Sequence, residues 1–493
     1  MDTSVTSTAI LTITDQLGGY NRSSWVFTAY LLTFCGFQLI WAKLSDILTR
    51  KAIIVASLFI FTVFSGACGA SQTLTQLIMF RWVQGIGGCG IFALTQLVFF
   101  ELVPPRKWPI FVSLVTGVVA LALVAGPLIG GALSTGTKWR WIFLLNVPVC
   151  AVAIIALLVM FPSKLWNEPA VTDRGGLSMT SHLRRLDVLG SIFLLGICIL
   201  ASTGFQQAAL GYAWTSSFVL PLFLLVIPFI IAFFTWQWLV TTRFKYPEPL
   251  LPWRFCQSRI CLGMLLNSYL TGTVLMVCLV QIPQRFMTVN GLSSLDAAVR
   301  MLPFGAFVPG GSSLAAVLMG KPKVPPCIII LVGAVLQLIG AVFLSRIPTD
   351  PHIHSPQYAF QVLIGLGVGF LAAGLILLVP YAMEKRDLAV GTASVSQFRV
   401  LGGLIGISVA SSLSTPYLRH HLIDVLPLDL VLAVMEKTEA LHMLSGATLD
   451  NVRAIFGESY NLQIKFVIGF AAAQIPTTAL MWTGQVVNPV QHS

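Results

Sequence analysis

Charge is what this sequence has least of. Only 10% of its 493 residues are Asp, Glu, Lys or Arg, against about a quarter in an ordinary soluble domain. Scarcity on that scale excludes a water-exposed surface around most of the chain. Ordered cysteine is also missing. There are nine cysteines, an odd number, and Cys35, Cys68, Cys89, Cys150, Cys198 and Cys278 fall within apolar runs, where they read as small packing residues. "CQSRIC" (Cys256, Cys261) has no metal-ligand spacing, so no metal site is expected. The start, "MDTSVTSTAILTITDQL", lacks basic residues and a strong apolar core, so no cleavable signal peptide is expected. Phosphate-cradling loops of the Walker type, HExxH pairs and GxSxG elbows are absent too. Direct ATP drive and hydrolytic catalysis are thereby disfavoured, and the chain does not read as an enzyme.

What remains is apolar: 56% of the residues are hydrophobic. They gather in blocks of about 18 to 25 residues, long enough to cross a hydrocarbon core of about 30 Å. Fourteen spans are expected, at 2–17, 25–43, 53–70, 76–99, 109–133, 141–161, 186–207, 217–240, 262–284, 298–319, 325–345, 358–380, 387–413 and 462–482. The first is short and rich in Thr and Ser. This is the pattern of an all-α polytopic membrane protein, since a barrel would show short alternating segments instead. The net charge of +11 follows from loops, not from a nucleic-acid surface: 17 of the 29 basic residues fall on the side of the 2–3 loop and 10 on the other. The positive-inside tendency places the 2–3 loop in the cytoplasm. Trp236 and Trp238, near a span end, suggest an interfacial belt.

Two segments repeat. "FRWVQGIGGCG" (Phe80 to Gly90) and "FQVLIGLGVG" (Phe360 to Gly369) share the Phe-to-Gly spacing of Phe80 to Gly85 and Phe360 to Gly365. They fall in spans 4 and 12, an even number apart, so the copies share one topology. Two six-helix halves related in parallel, with a helix pair inserted between them, are expected. The divisions are 1–161, 162–261 with the two additional helices, and 262–493 with a long outer loop at 414–461.

"ALVAGPLIGGAL" (Ala122 to Leu133) sets Gly126 and Gly130 four residues apart on one helical face beside Pro127 and Gly131. In lipid, small faces let helices pack closely, and the carbonyls that proline frees must find protein partners. "GPLIGG" resembles the antiporter motif of the major facilitator superfamily. "LSDILTRK" (Leu44 to Lys51), "RWVQGIGG" (Arg81 to Gly88), "WRWIFLLNVP" (Trp139 to Pro148), "MLPFG" (Met301 to Gly305) and "SQFRVLGGLIG" (Ser396 to Gly406) resemble further motifs of its fourteen-spanner drug:proton antiporter branch.

That resemblance implies a cytoplasmic conformational cluster of Asp46, Arg50 and Glu101, although Ala42 and Thr49 stand where the family usually has glycine. It implies proton coupling at Arg81 with Gln84 and Asp2, the last lying where the family's first helix carries an Asp at mid-span. The resemblance makes the first helix look truncated on its cytoplasmic side. An ionisable residue inside a membrane is a functional candidate by default. Arginine does not give up its proton, so the carrier must be another group. Arg399 and Gln397 are secondary candidates, and Gln206, Gln207, Asn267 and Gln281 offer further polar positions. "NRS" at Asn21 is a glycosylation sequon only four residues before the apolar stretch at Trp25, so its use is not expected.

The resulting expectation is a transporter that exports small hydrophobic organic compounds (drugs, toxins or secondary metabolites) by alternating access. It would use the proton gradient and no cofactor, as a monomer in the plasma or vacuolar membrane without nucleic-acid partners. Import of a defined metabolite, such as an amino acid or iron chelate, and a non-transporting sensor or relic are the alternatives.

Overall fold

The computed structural model describes the chain except residues 1, 48, 103–117, 119–121, 123–124, 134–137, 161–186, 245, 320–324, 384–387, 437–439, 442–443 and 483–493. Fourteen principal helices follow in order among the described residues. They are α1 (Asp2–Leu17), α2 (Ser23–Ile47), α3 (Arg50–Ala70), α4 (Leu74–Leu102), α5 (125–133), α6 (Asn146–Met160) and α7 (Val188–Ala209), then α8 (Val219–Arg243), α9 (Arg259–Thr288), α10 (Leu302–Met319), α11 (Pro326–Leu344), α12 (Pro356–Ala382), α13 (Leu388–Ile423) and α14 (Gly446–Leu480). No strand occurs among the described residues. Ten of these segments are by length and composition able to cross a membrane alone.

Burial explains the uneven apolarity. Only 11% of the spanning residues of α8 are buried, against 72% in α13. A helix facing lipid must be apolar all round, whereas one enclosed by protein can carry polar side chains that bond to its neighbours. The short helix α1 is the extreme case. Ser4, Thr6, Ser7, Thr8 and Thr14 are all buried, and Thr6, Ser7 and Thr14 return their hydroxyls to carbonyls of their own helix. Its weak apolar signal is that of a helix wrapped by protein.

The repeat holds at the level of packing. Gly85 of α4 meets the Tyr30 carbonyl of α2, and Gly365 of α12 meets the Phe304 carbonyl of α10. Two residues on, Gly87 meets the Ser57 carbonyl of α3 and Gly367 the Gly333 carbonyl of α11. In each half the same helix is thus gripped by the same two neighbours, and a Cβ at any of the four would displace backbone.

The inserted helices α7 and α8 form a hairpin. Asp187, buried at the N-cap of α7, accepts from the Gly190 amide (2.8 Å), Trp236 Nε1 (2.7 Å) and Gln237 Nε2 (2.7 Å), while Gln237 Oε1 accepts from the Leu251 amide at 3.1 Å. Trp236 therefore anchors the hairpin, where the sequence suggested an interfacial belt. At the other end of α7, Gln206 bonds Ser24 (2.7 Å) and Thr28 (3.1 Å) of α2.

The segment 414–461, expected as a long outer loop, is largely helical. Helix α13 continues to Ile423, a short helix spans Leu428–Glu436, and α14 already begins at Gly446. Hydropathy ends where lipid ends, but backbone hydrogen bonding carries a helix on into water, so the apolar window underestimated both helices. The described part of this segment packs against the first half. Tyr20, Ile10 and Ile13 of the first half share one buried cluster with Val289, Leu418, Leu422, Phe456 and Tyr460 of the second.

Candidate functional site

A polar cluster lies inside the first half, built from five elements. Helix α4 contributes Arg81 and Gln84, one turn apart on one face and both fully buried. The start of α1 brings Asp2, whose side chain is 10% exposed. Arg81 Nη1 donates to Asp2 Oδ2 in an ion pair, and also to Gln84 Oε1 at 2.8 Å. Its Nε donates to the Val26 carbonyl of α2 at 3.3 Å. The remaining Nη2 has no hydrogen-bond partner among the described residues. The guanidinium carbon lies 4.3 Å from the Tyr30 ring centre and 5.6 Å from that of Phe143, close enough for the ring faces to stabilise the charge.

Gln84 ties the pair to the rest of the half. Its Nε2 donates to Ser65 Oγ of α3 at 2.8 Å and to Asp2 Oδ1 at 3.4 Å. Asn146 Nδ2, at the start of α6, reaches the same Asp2 oxygen at 3.4 Å. Asp2 thus accepts from three side chains on two other helices. An isolated carboxylate or guanidinium at this depth would be costly, and each is tolerated because the other is beside it.

The antiporter-like helix closes against this cluster. The Ser4 hydroxyl donates to the Ala122 carbonyl and the Thr8 hydroxyl to the Pro127 carbonyl, both at 3.2 Å. Gly126 abuts Ser4, and Gly130 abuts Val5 and Thr8, with no room for a side chain. Gly131 instead meets the other half: a Cβ there would lie 2.7 Å from both Leu295 Cα and the Ser294 carbonyl. The Pro127 carbonyl is thus held by one bond from α1, that of Thr8; the carbonyl that this proline frees, at position 123, lies outside the described residues.

The other sequence candidates separate. Arg50 is buried at the start of α3 and donates to Ser45 Oγ at 2.5 Å. The side chains of Asp46 and Glu101, at the ends of α2 and α4, lie outside the described residues, as does that of Asn21 in the turn Tyr20–Arg22. Gln397 of α13 donates to the Cys35 carbonyl of α2 at 3.2 Å and so joins the two halves. Arg399 presents its backbone carbonyl to Gly272 of α9. Its half-buried side chain has no hydrogen-bond or ion-pair partner among the described residues.

Three contributors escaped the sequence reading. Tyr30 and Ser65 sit in ordinary apolar helices and carry no motif. Asn146 falls within the Trp139–Pro148 motif, where the segment was legible but not the residue's role. Gln38, on α2, is fully buried with neither amide atom bonded among the described residues.

A buried ion pair thus lies inside one of two halves whose helices pack alike. The sequence model of the Major Facilitator Superfamily matches residues 1–407, and the chain belongs to that family: it is a multi-pass membrane transporter for a small molecule. The chain is 36% identical to the MFS-type transporter FPY5 of Fusarium mangiferae, covering 98% of this chain and 81% of that protein. It is 29% identical to the efflux pump aflT of Aspergillus parasiticus, over 86% and 80% of the two chains. Among solved structures it resembles a bacterial homologue of the human lysosomal transporter Spinster, captured inward-facing and occupied. The TM-score is 0.62 at 13% identity, covering 98% of this chain and 96% of that one.

Proposed function

We propose that this transporter exports small, largely apolar organic compounds by proton antiport, with the Asp2–Arg81 pair as its proton-responsive element. The observation that carries the reading is the ion pair itself. It is the charged centre of the first half, whereas α9, α10, α11 and α12 contain no Asp or Glu. Arg81 keeps its charge throughout, so Asp2 is the group that gains and loses a proton. Protonating Asp2 removes the counter-charge and frees Arg81 to rely on Val26, Gln84 and the Tyr30 ring. The loss of attraction across α1 and α4 then biases the rocking of the halves. The apolar spans and the efflux-pump relative favour an organic, hydrophobic cargo moving outward, and the plasma membrane is where such export removes it from the cell.

The test uses purified full chain in vesicles with its cytoplasmic face outward and the lipophilic dye rhodamine 6G as probe. Dye is expected to accumulate when the vesicle interior is acid, and to leave when a protonophore is added. Asp2→Asn should keep dye exchange but lose gradient-driven accumulation. Wild-type accumulation by that variant, or accumulation without a pH gradient, overturns the reading.

A further inference from the structure

A groove on the outer surface of the first half is unrelated to the ion pair. It lies between α3 and α6 as an open trough of about 600 Å³, lined by Thr49, Lys51, Ala52, Ala56, Phe59 and Leu158 among others. Its walls are apolar and open outward: Phe59 is 62% exposed and Leu158 54%, and Val159 beside it is 77% exposed. Helix α3 and the segment Lys138–Val159, which contains nearly all of α6, are of membrane-spanning length and composition, and only 17% of the latter is buried. Hydrocarbon chains are therefore the natural covering of these walls.

Polarity is confined to one end. Thr49 caps α3, and Lys51 stands in its first turn beside the α2–α3 loop, the face that the loop charges assign to the cytoplasm. Lys51 Nζ donates to the Leu158 carbonyl at 3.2 Å, a bond that holds the amine at the groove mouth instead of letting it extend into solvent. From Lys51 to Phe59 is eight residues, about 12 Å along the helix, close to the depth of one leaflet's hydrocarbon at about 15 Å.

We infer that this groove binds one anionic glycerophospholipid of the cytoplasmic leaflet. Lys51 would meet the headgroup, and an acyl chain would lie along Ala52, Ala56 and Phe59 between the two helices. The complementarity is twofold: a cation at headgroup level, and an apolar trough of leaflet depth directly beneath it. A lysine at such a surface contributes the equivalent of about a fivefold gain for an anionic over a zwitterionic lipid.

Native mass spectrometry of the full chain released from detergent tests this, with phosphatidylserine, phosphatidylcholine or inorganic phosphate added. Wild type is expected to retain one phosphatidylserine about fivefold more strongly than phosphatidylcholine. Lys51→Gln should lose that preference and Lys51→Arg keep it, while Ala56→Phe, which fills the trough, should weaken both lipids. Thermal unfolding of each variant in the same detergent separates lost binding from misfolding. Equal retention of the two lipids by wild type, an unchanged preference in Lys51→Gln, or displacement of lipid by inorganic phosphate alone overturns the inference.

Discussion

Gln361 occupies on α12 the place that Arg81 occupies on α4. Each follows the phenylalanine that opens its repeat, Phe360 or Phe80, and each stands four residues before the glycine that meets the second helix of its half. Both side chains are buried, at 1% and 0% exposure. The first half thus holds an ion pair where the second holds a neutral amide, whose oxygen has no partner among the described residues. At this position one half carries a charged pair and the other a neutral amide.

The two positions should therefore respond differently to substitution. Gln361→Met removes an unsatisfied oxygen at nearly constant volume and should change stability by less than about 1 kcal/mol. Gln361→Arg buries a cation among helices without carboxylates and should cost about 3–5 kcal/mol. Thermal unfolding in detergent, monitored by tryptophan fluorescence, would separate the two.

Breaking the ion pair from one side leaves the other charge buried and alone. Arg81→Ala and Asp2→Ala should each destabilise the first half by about 3–5 kcal/mol. The double variant Asp2→Asn, Arg81→Gln should regain most of that loss, because two neutral amides can bond each other. If the proposed coupling is right, it still fails to concentrate dye. Stability and transport measured on the same preparations decide both halves of this expectation.

Where the two halves meet, the approach of Gly131 to Leu295 and Ser294 leaves no room for a side chain. Gly131→Val should wedge the halves apart there while leaving the α1–α5 contact in place, since Gly126 and Gly130 make that contact. A reporter cysteine at Leu422, fully buried in the cluster that the two halves share, should then react several-fold faster with a membrane-impermeant maleimide. Unchanged labelling would show that the halves meet without this contact.

Asp187 organises the inserted hairpin with three bonds to one carboxylate. Hydrogen bonds to a charged group contribute about 1.5–3 kcal/mol each, so Asp187→Ala should loosen α7 against α8 and leave Gln237 Nε2 and the Trp236 indole N–H without their acceptor. Hydrogen exchange is expected to rise in Val188–Ala209 and Val219–Arg243, with little change in α1 to α6.

Much of the architecture was legible because hydropathy is a local property. Each apolar block announces a helix by itself, and the order of the motifs Arg81–Gly88 and Gly126–Gly131 placed them on helices 4 and 5. Arg81 stood out because a charge inside an apolar run is costly wherever it sits. Its environment was less legible. Asp2 is 79 residues from Arg81 and Asn146 is 144 from Asp2, and no local pattern encodes which side chains meet across such separations. The helical extensions at Ile423 and Gly446 escaped for a related reason, since polar residues outside the lipid read as loop whether or not their backbone is helical.

By itself the sequence determined that the chain crosses a membrane many times, that its two halves repeat, and that one arginine is buried among glycines, because each of these follows from neighbours along the chain. Only the tertiary structure decided that α1 is polar because protein surrounds it, that Tyr30, Ser65 and Asn146 complete the surroundings of Arg81 and Asp2, and that a trough lies between α3 and α6. Lipid and protein interior are equally apolar to a hydropathy scale, so which face of a helix meets protein is settled by packing alone.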